Sequence, residues 1–153
     1  MRVIRLALRA FVVASLGALS PPVVLGAPPG TLFVTDRRID APAEQFEKEV
    51  RAAAKTSLPR TGEGWKMYLV AYLRRPPGAE DLNIVFYDVA GSKKEPVNHY
   101  PIRTRPNAKI VTTEIEIRPE EGFKPGARYE VRVTRLVGGR EEVFAKTVLQ
   151  LAE

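Results

Sequence analysis

Apolar and polar positions divide the chain into short alternating runs separated by turn residues. The longest organised stretch is residues 123–151. Lys124-Pro125-Gly126 is turn chemistry, because proline presets φ and glycine supplies positive φ. Tyr129-Glu130-Val131-Arg132-Val133-Thr134 then alternates with the period of a half-buried strand, with Tyr129, Val131 and Val133 inward. Gly138-Gly139 reverses the chain. The last strand offers two side-chain sets: Val143, Ala145, Thr147, Leu149 and Leu151, or Phe144, Lys146, Val148 and Gln150. Loop parity chooses between them. A two-residue loop pairs Val133 with Phe144 and Val131 with Lys146; an odd loop, bulged at a glycine, pairs Val133 with Ala145 and Val131 with Thr147. The first buries a lysine stem, so the odd loop is the expectation.

Upstream, Thr31–Thr35 is a first β-rich run. Asp40 reads as a helix N-cap with Pro42 and Glu44 in the first turn, and 44–56 follows a helical period that puts Phe46, Val50 and Ala53 on one face. Residues 65–73 form the most apolar strand, with Trp65, Met67, Leu69, Ala71 and Leu73 on the core face. Its other face carries Tyr68, Val70 and Tyr72, an aromatic stripe unusual for a solvated surface. Either the helix packs Phe46 and Val50 over that stripe, which is the favoured expectation, or the stripe is a binding platform. Residues 82–88 put Leu82, Ile84 and Phe86 inward. Residues 97–105, bounded by Pro101 and Pro106, read as an edge strand. Ile110–Ile117 alternates with Val111, Thr113, Ile115 and Ile117 inward. Seven short strands at intervals of about ten residues predict a mainly β, antiparallel sandwich with one short helix between its first two strands.

Residues 123–133 resemble the E–F corner of immunoglobulin-like and fibronectin type III-like domains, where a turn leads to a tyrosine whose hydroxyl bonds back to upstream backbone. The resemblance implies that Tyr129 is that corner tyrosine and Trp65 the early core tryptophan. It departs from antibody-type domains in lacking the cysteine pair and in carrying the extra helix. A binding role follows from the resemblance; the partner does not.

Composition changes the picture in one place. Arg2, Arg5 and Arg9, then an apolar run over 10–19 and a small-residue site at Gly26, read as a secretory signal peptide covering 1–26. The apolar run is too short for a membrane span, which needs about 20 residues. The domain is then 27–153, and an arginine-rich leader favours a bacterial envelope, periplasmic or secreted. The leader holds three arginines and no acid, so the chain's 24 Lys+Arg and 18 Asp+Glu leave an excess of only three cations beyond it. Nucleic acid is therefore not an expected partner. With no cysteine in the chain, disulfides, thiolate metal sites and cysteine nucleophiles are absent.

The chemistry-bearing residues are sparse. His99 is the only histidine and has no ligand-spaced companions. Glu114 and Glu116 share one strand face about 7 Å apart, with Arg103, Arg105 or Arg132 available to offset them across strands. Neither cofactor nor metal is expected, and no catalysis. The expected function is a non-catalytic interaction or scaffold protein of an envelope assembly serving motility, secretion or surface structures, pairing through an exposed edge strand. A carbohydrate-binding module using Tyr68, Tyr72 or Tyr87 is the alternative, with an acidic glycan as the ligand class that the basic pairs Arg37-Arg38, Arg74-Arg75, Lys93-Lys94 and Arg103/Arg105 could take. The binding candidates are Tyr68, Val70, Tyr72, Arg103 and Arg105.

Overall fold

Alternation translates directly into strands. The computed structural model describes residues 26–153, so the signal-peptide reading of 1–26 lies, apart from Gly26, outside the described residues. The elements in order are β1 (Thr31–Thr35), α1 (Ala43–Ala53), β2 (Ser57–Leu58), β3 (Trp65–Tyr72), β4 (Asp81–Asp88), β5 (Glu95–Arg103), β6 (Ile110–Ile117), β7 (Arg128–Val137) and β8 (Arg140–Leu151). Trp65, Met67, Leu69 and Ala71 of β3, Leu82, Ile84 and Phe86 of β4, and Tyr129, Val131 and Val133 of β7 all enter one buried core. β6 follows its expected parity, with Val111, Ile115 and Ile117 buried and Thr112, Glu114 and Glu116 exposed.

The strands run in the order β5-β4-β7-β8-β1-β3-β6, with β2 pairing β8 off this path. β1, β3 and β6 thus lie on one side and β5, β4, β7 and β8 on the other. An immunoglobulin-like chain makes this partition between its A-B-E and C-F-G strands. The expected seven strands differ from the eight observed, and the two halves are joined into one continuous sheet. β1 pairs antiparallel with β3 along its length and touches β8 at Thr31↔Lys146, while β2 adds to β8 in parallel at Ser57↔Gln150 and Leu58↔Leu151. The opening segment crosses from one half to the other with α1 at the crossing. A two-residue strand such as β2 is too short to carry a period and left no sequence signal.

Two local expectations are corrected. Asp40 is not the helix cap. Pro42 occupies that position without a side-chain bond, and its carbonyl accepts the N–H groups of Gln45 and Phe46. Proline presets the helical entry and holds the preceding residue extended, which carries Asp40 away from the first turn. The helix also ends at Ala53 rather than Thr56, because Ala54 bridges to Thr35 and Lys55 donates to the Val34 carbonyl.

The hairpin pairing is the expected one, reached by a different device. Val133 lies opposite Ala145 and Val131 opposite Thr147. The loop itself is even: Val137 pairs with Arg140, and Gly138 and Gly139 both have positive φ, 57° and 76°. Such a pair suits the twist of a two-residue hairpin turn. The odd residue sits inside the strand instead. Thr134 pairs with Val143, so Phe144 is the extra residue of a β-bulge. The bulge turns two consecutive apolar side chains, Phe144 and Ala145, into the core and leaves Lys146 exposed.

Aromatic packing secures the β5 side. Tyr100, Phe86, Phe123 and Tyr129 form a chain of edge-on contacts with centroids 5.8, 5.1 and 5.3 Å apart. The Tyr129 hydroxyl accepts the Lys124 N–H at 2.8 Å, the upstream-backbone bond expected of a corner tyrosine. Trp65 donates its indole N–H to the Ala152 carbonyl at 2.8 Å, tying the end of the chain to the start of β3.

Candidate functional site

The aromatic stripe of β3 lies largely under the helix. Val50 of α1 is fully buried against Val70 and Tyr72, with Phe33, Ile39 and Phe46 packed around them. Phe33 meets the Tyr72 ring edge-on at 5.9 Å. Burial raises the Tyr72 pKa, and nearby Glu47 adds to that rise. Helix cover is therefore the alternative observed for Val70 and Tyr72. Tyr68 sits at the helix margin, half-buried, with the Lys66 ammonium 5.6 Å from its ring centre.

The outer face of the β5-β4-β7-β8 half carries a charged chain not apparent in the sequence. Lys94 bonds the buried Glu130, Glu130 accepts from Arg132, and Arg132 donates to Glu141 at 2.7 Å. Tyr87 donates to the other Glu141 oxygen at 2.7 Å, and the Arg132 guanidinium lies 4.2 Å from its ring centre. Burial and the Glu141 bond push the Tyr87 pKa up to about 12. Burial works to raise the Glu130 pKa, but the bonds from Lys94 and Arg132 outweigh it and hold the carboxyl below its ordinary value. These residues come from four separate segments, so their spacing in the chain gave no cue. Beside them lies an open groove of about 440 Å³, whose walls include Val85, Tyr87, Val97, His99 and Leu136.

Glu114 and Glu116 are engaged, but not by Arg103, Arg105 or Arg132 as expected. Lys66 reaches Glu114 at 2.6 Å from the paired strand, and Arg118 reaches Glu116 at 3.2 Å. The Lys66 bond lowers the Glu114 pKa, and Glu114 raises that of Lys66. Arg103 and Arg105 are exposed at the end of β5 and in the loop after it. Together with Ala108, Ile110 and Thr112 they flank an open recess of about 680 Å³. Arg103 has Asp81 at 3.8 Å, both side chains being well exposed.

The sheet ends at β5 and β6, and the two free flanks differ. Antiparallel neighbours exchange bonds at alternate pairs. The Thr104 N–H donates to Glu80, so Ile102, Tyr100 and Asn98 face β4, while Arg103, Pro101 and His99 face outward. Pro101 has no N–H, and the Asn98 side chain already accepts the His99 N–H at 2.8 Å. A register shift at Phe86/Tyr87 bulges the rest of the strand beside Pro96. On β6 the Leu73 N–H donates to Lys109, which places the odd-numbered residues toward β3 and the backbone groups of Ile110, Thr112, Glu114 and Glu116 outward. This flank has no proline, no bulge and an unbroken register with β3. Of the outward N–H groups of β5, within the stretch 97–105 expected to be the edge, that of Pro101 is thus missing and that of His99 is taken by a neighbouring side chain, whereas β6 shows neither loss. The prolines were legible in the sequence; the Asn98 bond and the outward parity were not.

No family model matches the chain, and no curated protein matches it. Among solved structures, the chain is similar to an immunoglobulin-like protein from Pseudomonas aeruginosa, at 16% identity and a TM-score of 0.41 over 82% of this chain and 92% of that one. Among the described residues no helix is long and apolar enough to cross a membrane.

Proposed function

We propose that the chain is a non-catalytic interaction module of a bacterial envelope assembly, exported by the leader at 1–26 and built on a seven-stranded immunoglobulin-like sandwich to which β2 is a short addition. The observation that carries this reading is the unequal treatment of the two sheet ends. Sheets blunt their edges with prolines, bulges and charges because an open flank recruits other strands. β5 is blunted in this way along its outward positions, whereas β6 is eight regular residues long and turns the backbone donors and acceptors of four of them outward. Strand addition to such a flank is a recurrent mode of peptide and domain recognition. The leader read from the sequence would carry this flank to the periplasm or outside the cell.

The test is a photo-crosslinking amino acid placed at Thr112 or at His99 in cells exporting the full chain. Adducts from Thr112 and none from His99 are expected. Absence of adducts from Thr112 overturns the reading. The glycan-binding alternative has less support. It needs open aromatic faces, and the Tyr72 ring is buried, Arg132 covers that of Tyr87, and Tyr68 is half-buried with the Lys66 ammonium 5.6 Å from its ring centre. Specific retention on a glycan array would revive it.

A further inference from the structure

We infer that the strand which adds to β6 is β6 of a second copy, running antiparallel across a two-fold axis at Thr113. This deepens the edge-pairing reading and rests on it. Three features of the β6 flank select this occupant.

The first is charge. Arg103, Arg105 and Lys109 stand at the start of β6, with Asp81 the acid near Arg103. At its far end Arg118 lies within 4 Å of three carboxylates, those of Glu63, Glu116 and Glu120. Arg60 is also near, donating to the Glu63 carbonyl. The flank therefore runs from basic to acidic. An antiparallel copy sets each basic end against an acidic end, which a parallel copy does not. Complementary potentials of this kind steer association and fix orientation.

The second is register. A two-fold at Thr113 pairs Thr112 with Glu114 and Ile110 with Glu116, so all four outward-facing residues exchange backbone bonds and no carboxylate meets its like. Centring on Glu114 would oppose two glutamates, which is destabilising. Centring on Thr112 would carry Glu116 past the start of the partner's β6. A shift by one residue would turn each strand's apolar set to the wrong face.

The third is the inward face. Val111 and Ile115 keep 7% and 6% exposure, whereas Ile117 keeps none, so β6 is incompletely covered along its free side. In this register Val111 of each copy lies opposite Ile115 of the other and Thr113 opposite Thr113. The contact is self-complementary, as an isologous two-fold interface requires.

The chain's lack of cysteine allows a clean test on the full exported protein. At a non-hydrogen-bonded antiparallel pair the Cα atoms stand about 4.5 Å apart, within disulfide reach. The Thr113→Cys variant is expected to form a covalent dimer under mild oxidation. The unmodified protein is expected to sediment as a concentration-dependent dimer, more weakly so in high salt. Thr112→Pro removes an outward N–H and leaves the bonds to β3 in place; it is expected to weaken self-association at least tenfold. Should that variant misfold, Arg105→Glu must weaken the dimer and added Glu120→Arg must restore it. A monomer at every concentration, with no cross-link through Thr113→Cys, overturns the inference. If the photo-adduct from Thr112 then has a mass other than twice the chain, edge pairing stands and the second copy is wrong. If Thr112 yields no adduct, edge pairing itself falls.

Discussion

β5 and β6 end the same sheet, each with a single neighbour, yet they meet solvent differently. β5 gives up backbone donors to Pro96 and Pro101, turns the Asn98 side chain onto the His99 N–H, and bulges near its start. Its inner side is anchored by aromatics, with Tyr100 stacked edge-on against Phe86. β6 does none of this. It keeps a regular ladder to β3, is held from within by branched aliphatics, and carries charges only on its outer side chains. The same fold position, an edge, is finished in one case and left available in the other. What separates them is local side-chain chemistry rather than topology.

The comparison breaks most visibly through the core. Phe86→Ala removes the ring joining Tyr100 to Phe123 and is expected to cost about 3–5 kcal/mol. Urea denaturation should show this, with amide exchange rising more in β5 than in β6. Equal loosening of both edges would mean that β5 is not specially anchored. Tyr129→Phe leaves the Lys124 N–H unpaired near the same cluster and should cost about 1–2 kcal/mol in thermal or chemical denaturation.

A pH series sharpens the contrast on the outer face beside β5. The folded-state pKa of Glu130 is held down by its bonds to Lys94 and Arg132. A lowered carboxylate contributes stability above its unfolded pKa of about 4.3, and that contribution is lost as pH falls through the folded value. Glu130→Gln is therefore expected to lower the melting temperature at pH 7 and to make progressively less difference as the pH falls below the unfolded carboxylate's pKa. A constant gap between the two proteins would place the effect in packing. The smallest change is at the flank itself. Pro101→Thr with Asn98→Ala restores outward donors on β5 and should alter stability by no more than about 0.5 kcal/mol. Sedimentation should nevertheless reveal self-association additional to that through β6. Unchanged sedimentation would show that proline and the Asn98 bond are not what closes this edge.

Much of the fold was legible because burial alternates wherever a strand has one wet face. The inward sets of β3, β4, β6 and β7 followed from period two alone, and the turn residues marked the breaks. Helix cover of Val70 and Tyr72 was anticipated because α1 has one apolar face to bury and lies shortly before that strand in the chain. Features that depend on another segment arriving alongside were not legible. The Lys94–Glu130–Arg132–Glu141–Tyr87 chain draws on several strands, and the carboxylates of β6 found Lys66 and Arg118 rather than the expected arginines.

The hairpin of β7 and β8 shows where the division lies. The alternation of Tyr129, Val131 and Val133, the glycine turn and the reluctance to bury Lys146 were sufficient, within the sequence, to put Ala145 beside Val133. Whether the odd residue fell in the loop or the strand was decided only by the core, which had room for Phe144 and Ala145 together and so moved the bulge off the glycines. The same holds for the edges. Prolines in β5 and none in β6 are properties of the sequence. Which backbone groups face outward, and which are already taken, depends on hydrogen-bond parity with β4 and β3, and parity exists only once strands have paired.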